Sequence, residues 1–208
     1  MSNYKIVLAS TSPFRRQLLE QTGLTFSAIA PEVDETPVAD ESATELVERL
    51  AKAKACAVAE QFKDNTQALV IGSDQVAVVN GSIVGKPHTH EKAVAQLTAA
   101  SGQAVTFYTG LAVAAVTKGT ISVESCVETF EVVFRNLTAE EIEGYLRKEQ
   151  PYQCAGSFKS EALGITLFSA LRGNDPNALV GLPVIRLLEM LRVYGVNPLL
   201  DTSADTGA

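Results

Sequence analysis

At 208 residues the chain can form one sizeable α/β domain, or two lobes sharing a cleft, because single cores rarely stop growing before about 250 residues. Its 46% hydrophobic and 20% charged residues are those of a folded soluble protein and exclude a disordered one. A net charge of −7 argues against a nucleic-acid polymer as partner, since no basic excess exists to neutralise successive phosphates, yet a small anion can still bind locally.

The run 5–9 (KIVLA) predicts a buried strand, and the polar turn from Ser10 to Pro13 opens a helix with Leu18 and Leu19 on one face. After an apolar stretch around Phe26, an acidic loop over 31–41 precedes Ser42-Ala-Thr-Glu45, a capping box that starts an amphipathic helix to about Phe62. Leu46, Val47, Leu50, Ala53 and Ala57 mark its expected inner face. The run 68–71 (ALVI) predicts a second buried strand, with Gly72-Ser-Asp-Gln75 at its C-terminal end, where α/β sheets place their chemistry. Asn80-Gly81 between two apolar runs predicts a hairpin, which Gly85-Lys86-Pro87 closes.

A helix is expected over 91–100, followed by two long strands, 105–116 and 121–134, paired through Lys118-Gly119. Thr138-Ala-Glu-Glu141 is a second capping box, starting a helix to about Lys148. The loop 156–161 leads into an apolar stretch at 165–168, and the last helix covers 184–194. The small polar tail 201–208 is expected to be disordered.

Three cysteines, odd in number and far apart, read as reduced core thiols; with no secretory pattern at the N-terminus and no segment of bilayer length, a cytoplasmic, membrane-free protein is expected. The loops that bind phosphates in P-loop kinases and dinucleotides in dehydrogenases are missing, as is the serine-hydrolase elbow. Two histidines, His88 and His90, cannot supply an ordinary zinc site and are expected in an exposed loop.

What remains is charge held in glycine- or serine-bearing loops. Arg15 and Arg16 at a helix start oppose the helix dipole, which points to an anion shared with the N-terminal amides, although two solvated arginines would look the same. Glu32, Asp34 and Glu35 fit an acidic surface loop, the commoner fate of such runs. Asp74, directly after a buried strand, is placed to bind a hard cation or take a proton from water; structural aspartates also begin turns there. Lys54 beside the apolar face of its helix and Lys86 in its tight turn can each be ordinary surface lysines.

Together these segments resemble the Maf family of nucleotide pyrophosphatases: Leu8-Ala-Ser-x-Ser-Pro-x-Arg15, Val33-Asp-Glu35, Ala51-x-x-Lys54-Ala, Gly72-x-Asp74, Gly85-Lys-Pro87, Ser101-Gly102 and Val180-Gly-Leu-Pro183. The resemblance covers residues 4 to about 198 and implies a single domain over 1–200. It further implies an α/β fold in which a mixed parallel and antiparallel sheet with flanking helices forms two lobes around a central cleft. A homodimer, dependence on Mg²⁺ or Mn²⁺, and hydrolysis of a nucleoside triphosphate to monophosphate and diphosphate follow from it as well. By the same resemblance Ser10, Arg15, Arg16, Lys54 and Lys86 bind phosphate, Glu35 and Asp74 hold the metal, and Asp74 is the general base.

Ser73-Asp74-Gln75, Phe14 before Arg15, and Lys159-Ser160-Glu161 depart from the pattern of the dTTP and UTP branch and look like the branch acting on 7-methyl-GTP. Phe14, Gln75 and Glu161 are the implied specificity residues. Methylation at N7 makes guanine cationic, so Phe14 could add a cation–π contribution of roughly 0.5 to 2 kcal/mol, and Glu161 could accept from N1–H and the amino group. Two alternatives stay open: a broader pyrophosphatase for non-canonical purine triphosphates such as ITP, and a nucleotide-binding division regulator without turnover.

Overall fold

The computed structural model describes residues 4–62 and 66–200, so the expected tail lies outside the described residues. Alternation along the first strand, β1 (Lys5–Ala9), sends Ile6 and Leu8 to one face and Val7 and Ala9 to the other. Strand β3 (Ala68–Val79) does the same with Leu69 and Ile71 against Ala68 and Val70, and β5 (Ala104–Thr117) with Leu111 and Val113 against Ala112 and Ala114. Both faces are covered, which is why these strands read as continuous apolar runs.

Helices α1 (Pro13–Glu20) and α6 (Val184–Val193) cover the leucine-rich face through Leu18, Leu19, Leu187 and Leu191. The alanine-rich face receives α2 (Ala43–Ala59), whose capping box forms as expected: Ser42 accepts from the Glu45 amide and the Glu45 carboxylate from the Ser42 amide. The last expected turn of that helix is a separate 3-10 turn, Glu60–Phe62. Leu46, Val47 and Leu50 lie on its inner face as expected, but the C-terminal half is rotated from the expectation, with Ala51, Lys54, Ala55 and Val58 buried and Ala53 and Ala57 only half-buried. Two glycines explain the rotation. A Cβ on Gly72 would stand 2.2 Å from Ala51 O, and one on Gly110 2.1 Å from Val47 O, so α2 lies in backbone contact with the sheet.

One seven-stranded sheet runs in the order β2-β1-β3-β5-β6-β7, with β2 (Ser27–Ile29), β6 (Thr120–Phe134) and β7 (Phe168–Gly173), and β4 (Ser82–Val84) attached to β3. The β2-β1-β3 pairs are parallel and the others antiparallel, so the expected mixed sheet is present. The Asn80-Gly81 hairpin joins β3 to β4, both turn residues having positive φ. Helices α3 (His90–Ala100) and α4 (Ala139–Glu149) pack on the far half of the sheet against Phe107, Phe130 and Phe134 and form the second lobe.

Three expectations are corrected. The strand read as 68–71 continues to Val79 because β5 pairs with it along its length, so Asp74 lies inside a strand and not in a loop after it. The apolar stretch 165–168 is not one element: 165–167 lie in a 3-10 turn (Leu163–Leu167) and Phe168 opens β7. His90 opens α3 half-buried, bonded to Tyr152 and Glu143, so only His88 is the exposed loop residue expected. A short helix, α5 (Pro176–Val180), starts at Asp175-Pro176, an N-cap followed by proline.

Candidate active site

The edge of β3 that faces β1 carries a gap. Residues 68–71 pair with β1 and residues 77–79 with β4, leaving 72–76 bonded to β5 on one side and to no strand on the other. Asp74 sits in that gap, just past the point where β1 ends at Ala9. A crevice beyond the carboxyl ends of parallel strands is the general ligand position of open α/β sheets. Here it is a cleft of about 930 Å³.

On its floor Lys54 is only 6% exposed, and its ammonium lies 2.7 Å from Asp74 Oδ1 and 2.7 Å from Glu35 Oε1. The contact of α2 with Gly72 brings Lys54 this close to the strand. Glu35 reaches in from the acidic loop, which is tied to α2 by Arg49: the guanidinium grips Glu41 and holds that carboxyl down to about 2, and it also donates to Thr36 O.

Ser10 and Arg15 line the adjoining wall. Ser12 caps α1 and donates its amide to Ser10 Oγ, which fixes the entry turn. Arg15 donates Nε to Gly181 O at 2.7 Å; burial pulls its pKa below the usual arginine value, against the opposing pull of the Asp74 and Glu35 carboxylates. It stays charged, as arginine does in proteins. Arg16, one position on, is exposed, pairs with Glu20 at 2.9 Å and is absent from the lining. Lys86 faces the cleft from the turn after β4, where Gln96 holds Gly85 O.

The far wall carries Phe14, Phe158, Lys159, Ser160, Glu161 and Leu179. A smaller hollow of about 310 Å³ adjoins it and shares Phe14, Ser160 and Glu161. Lys159 bonds Glu149 Oε1 at 3.0 Å, its amide donates to the Tyr145 hydroxyl, and Gly164 packs where a Cβ would stand 2.3 Å from Lys159 O. Burial raises the Tyr145 hydroxyl above the ordinary tyrosine range, so it stays protonated. Gln75, next to Asp74, bonds through Nε2 to Thr109 and to the carbonyls of Ala178 and Leu179. Buried Ser73 shares its one hydroxyl proton between Gly110 O and Gly181 O, the atom that also receives Arg15.

The structure therefore gathers Ser10, Phe14, Arg15, Glu35, Lys54, Asp74, Gln75, Lys86 and Glu161 around one cleft and leaves Arg16 outside it. Sequence reasoning missed Ser73, Thr109 and Glu149, which act through hydrogen bonds across 10 to 108 residues of chain and leave no local pattern. Cys56, Cys126 and Cys154 are free and half-buried, and burial pushes each thiol up.

A mixed sheet with helices on both faces, opening a strand gap over a buried Lys54–Asp74–Glu35 cluster walled by Arg15 and Lys86, defines an α/β protein with a cleft suited to a phosphorylated small molecule. The family model described as Maf-like protein matches residues 5–194, and the chain belongs to the Maf family. It is 55% identical over 199 residues to 7-methyl-GTP pyrophosphatase of Vibrio vulnificus (strain CMCP6), covering 96% of this chain and 100% of that one. Among solved structures it is similar to a nucleoside-triphosphatase (dITP/XTP pyrophosphatase) of Mycobacterium abscessus at 13% identity, TM-score 0.42, over 96% of this chain and 100% of that one. A second is the Ham1 protein of Staphylococcus aureus, at 14% identity and TM-score 0.47, over 92% and 100%.

Proposed function

We propose that the chain is a nucleoside triphosphate pyrophosphatase that hydrolyses 7-methyl-GTP to 7-methyl-GMP and diphosphate. The observation that carries this reading is Asp74: a nearly buried carboxylate in the strand gap, with one oxygen fixed by Lys54 and with Arg15 and Lys86 lining the same cleft. With Oδ1 held at 2.7 Å by Lys54, the second carboxylate oxygen is the one left to accept a proton from water. The hydroxide so formed attacks the α-phosphorus; the bond from that phosphorus to the bridging oxygen breaks, and diphosphate departs with its electron pair. Arg15, Lys54, Lys86 and Ser10 orient the triphosphate, and their charge and hydrogen bonds oppose the negative charge that grows on its oxygens.

Glu35 and Asp74 fit a hard divalent ion such as Mg²⁺ or Mn²⁺, which typically takes one or two carboxylates and completes its shell with water and phosphate. Their convergence on one ammonium supports this, and among the described residues no larger group of His, Cys, Asp and Glu competes for the role. When bound, the ion supplies charge neutralisation at the phosphate oxygens.

Phe14 and Glu161 on the far wall suit a cationic purine, the ring by stacking and the carboxylate by accepting from the guanine edge. A homodimer in the cytoplasm belongs to the same reading. The test is diphosphate release from 7-methyl-GTP, GTP, ITP, UTP and dTTP with Mg²⁺ or Mn²⁺, beside Asp74→Asn. The expected result is kcat/KM for 7-methyl-GTP at least about tenfold above the others, and a loss of about 10³-fold in kcat for the variant. Preference for UTP or dTTP sinks the base assignment; binding with no turnover favours a regulator.

A further inference from the structure

Gln75 on β3 stands directly opposite Thr109 on β5. Its Nε2 donates to Thr109 Oγ1 at 2.9 Å, to Ala178 O at 2.7 Å and to Leu179 O at 3.1 Å. Thr109 is wholly buried and gives its own hydroxyl proton to Ala178 O at 2.9 Å. A hydroxyl has a single proton, so once that proton points at Ala178 the oxygen can face Gln75 only as an acceptor. Two amide protons are shared among these three oxygens, and a Gln75 amide turned by 180° would set its oxygen against the two backbone carbonyls, so the network admits one orientation. Oε1 accepts from none of the described residues, and no side-chain nitrogen or oxygen among them is both buried and unpartnered. Since Gln75 lines the cleft, Oε1 is the atom it offers to a ligand.

We infer that Thr109 is a positioning residue for base recognition, locking Gln75 so that an acceptor oxygen alone faces the cleft and the nucleotide group read there is a hydrogen-bond donor. The inference rests on the 7-methyl-GTP reading and assigns the donor as the exocyclic 2-amino group. That group carries two protons, one for Gln75 and one for Glu161, whereas the guanine O6 and N3 are acceptors that Oε1 repels.

The experiment compares 7-methyl-GTP with 7-methyl-ITP, which lacks the 2-amino group, on the wild type, Thr109→Val, Thr109→Ala and Thr109→Ser. The wild type is expected to discriminate against 7-methyl-ITP by at least about tenfold in kcat/KM, because a site built to bond a donor rejects the analogue lacking it. Thr109→Val and Thr109→Ala loosen the amide, which keeps only the Ala178 and Leu179 carbonyls: KM for 7-methyl-GTP rises about threefold, kcat stays within about twofold, and the discrimination shrinks by about the same factor, leaving the part that Glu161 contributes. Thr109→Ser keeps the hydroxyl and restores it. Equal wild-type turnover of the two nucleotides overturns the inference, whether or not the variants fold. So does discrimination that Thr109→Val leaves undiminished, or that Thr109→Ser fails to restore. A wild type preferring UTP or dTTP overturns the proposed function and the inference with it, whereas the other failures leave the proposed function standing.

Discussion

Lys54 and Arg16 show how far single residues could be read before their partners were known. Both are cations on helices in motif-bearing segments, and the resemblance gave both to phosphate. Lys54 is nearly buried between two carboxylates, while Arg16 pairs with Glu20 at a surface where such a contact contributes little. Burial depends on the rotation of a helix about its axis, which adjacent cations in sequence do not define. Arg15 turns inward to Gly181 and Arg16, the next residue, turns out. Lys54→Met is therefore expected to lower kcat/KM by at least about 100-fold. It should also cost about 3 kcal/mol in stability, because Asp74 is left buried without its cation. Arg16→Ala should stay within about twofold in kcat/KM and about 0.5 kcal/mol in stability. Steady-state kinetics and urea unfolding of the two variants decide this, and equal damage from both would place Arg16 in the site.

Among the elements, capping boxes and the Asn80-Gly81 turn were legible because their chemistry is local: Ser42 with Glu45, Thr138 with Glu141, and two residues at positive φ. The joining of 68–71 to the hairpin strand through Gly72-Ser-Asp-Gln75 was not, since it depends on β5 pairing with these residues from more than 30 positions along the chain. Nor was the phase of α2, which is set where helix backbone meets sheet backbone at Gly72 and Gly110. Gly72 thereby becomes a determinant of the site as well as of the fold. Gly72→Ala puts a methyl 2.2 Å from Ala51 O, a position only backbone movement can relieve, and should destabilise by about 3 kcal/mol. In whatever fraction folds, α2 is displaced and Lys54 with it, so kcat should fall too. A variant of wild-type stability in urea would mean that the helix and sheet are not locked at this point.

For the whole molecule, the cleft joins walls of different origin. The phosphate side comes from the β1-α1 turn, the β3 gap and α2, while Lys159, Ser160 and Glu161 hang from α4 in the other lobe. Lys159 lines the cleft, yet its ammonium is taken by Glu149 Oε1 at 3.0 Å and by Glu149 O at 3.3 Å. The other oxygen of the same carboxylate accepts from the Leu163 amide, so one glutamate at the end of α4 closes both ends of the loop that presents Glu161. Lys159 is thus expected to act on where the base wall stands, not on the reacting phosphate. Lys159→Met should raise KM for 7-methyl-GTP by about tenfold with kcat within about twofold, unlike Lys54→Met, which acts on kcat. Exchanging the pair, Lys159→Glu with Glu149→Lys, should recover part of the lost KM, because the attraction survives the swap even where the amide contact to Leu163 does not. A kcat loss in Lys159→Met as large as in Lys54→Met, with no recovery in the exchange, would instead place Lys159 on the triphosphate.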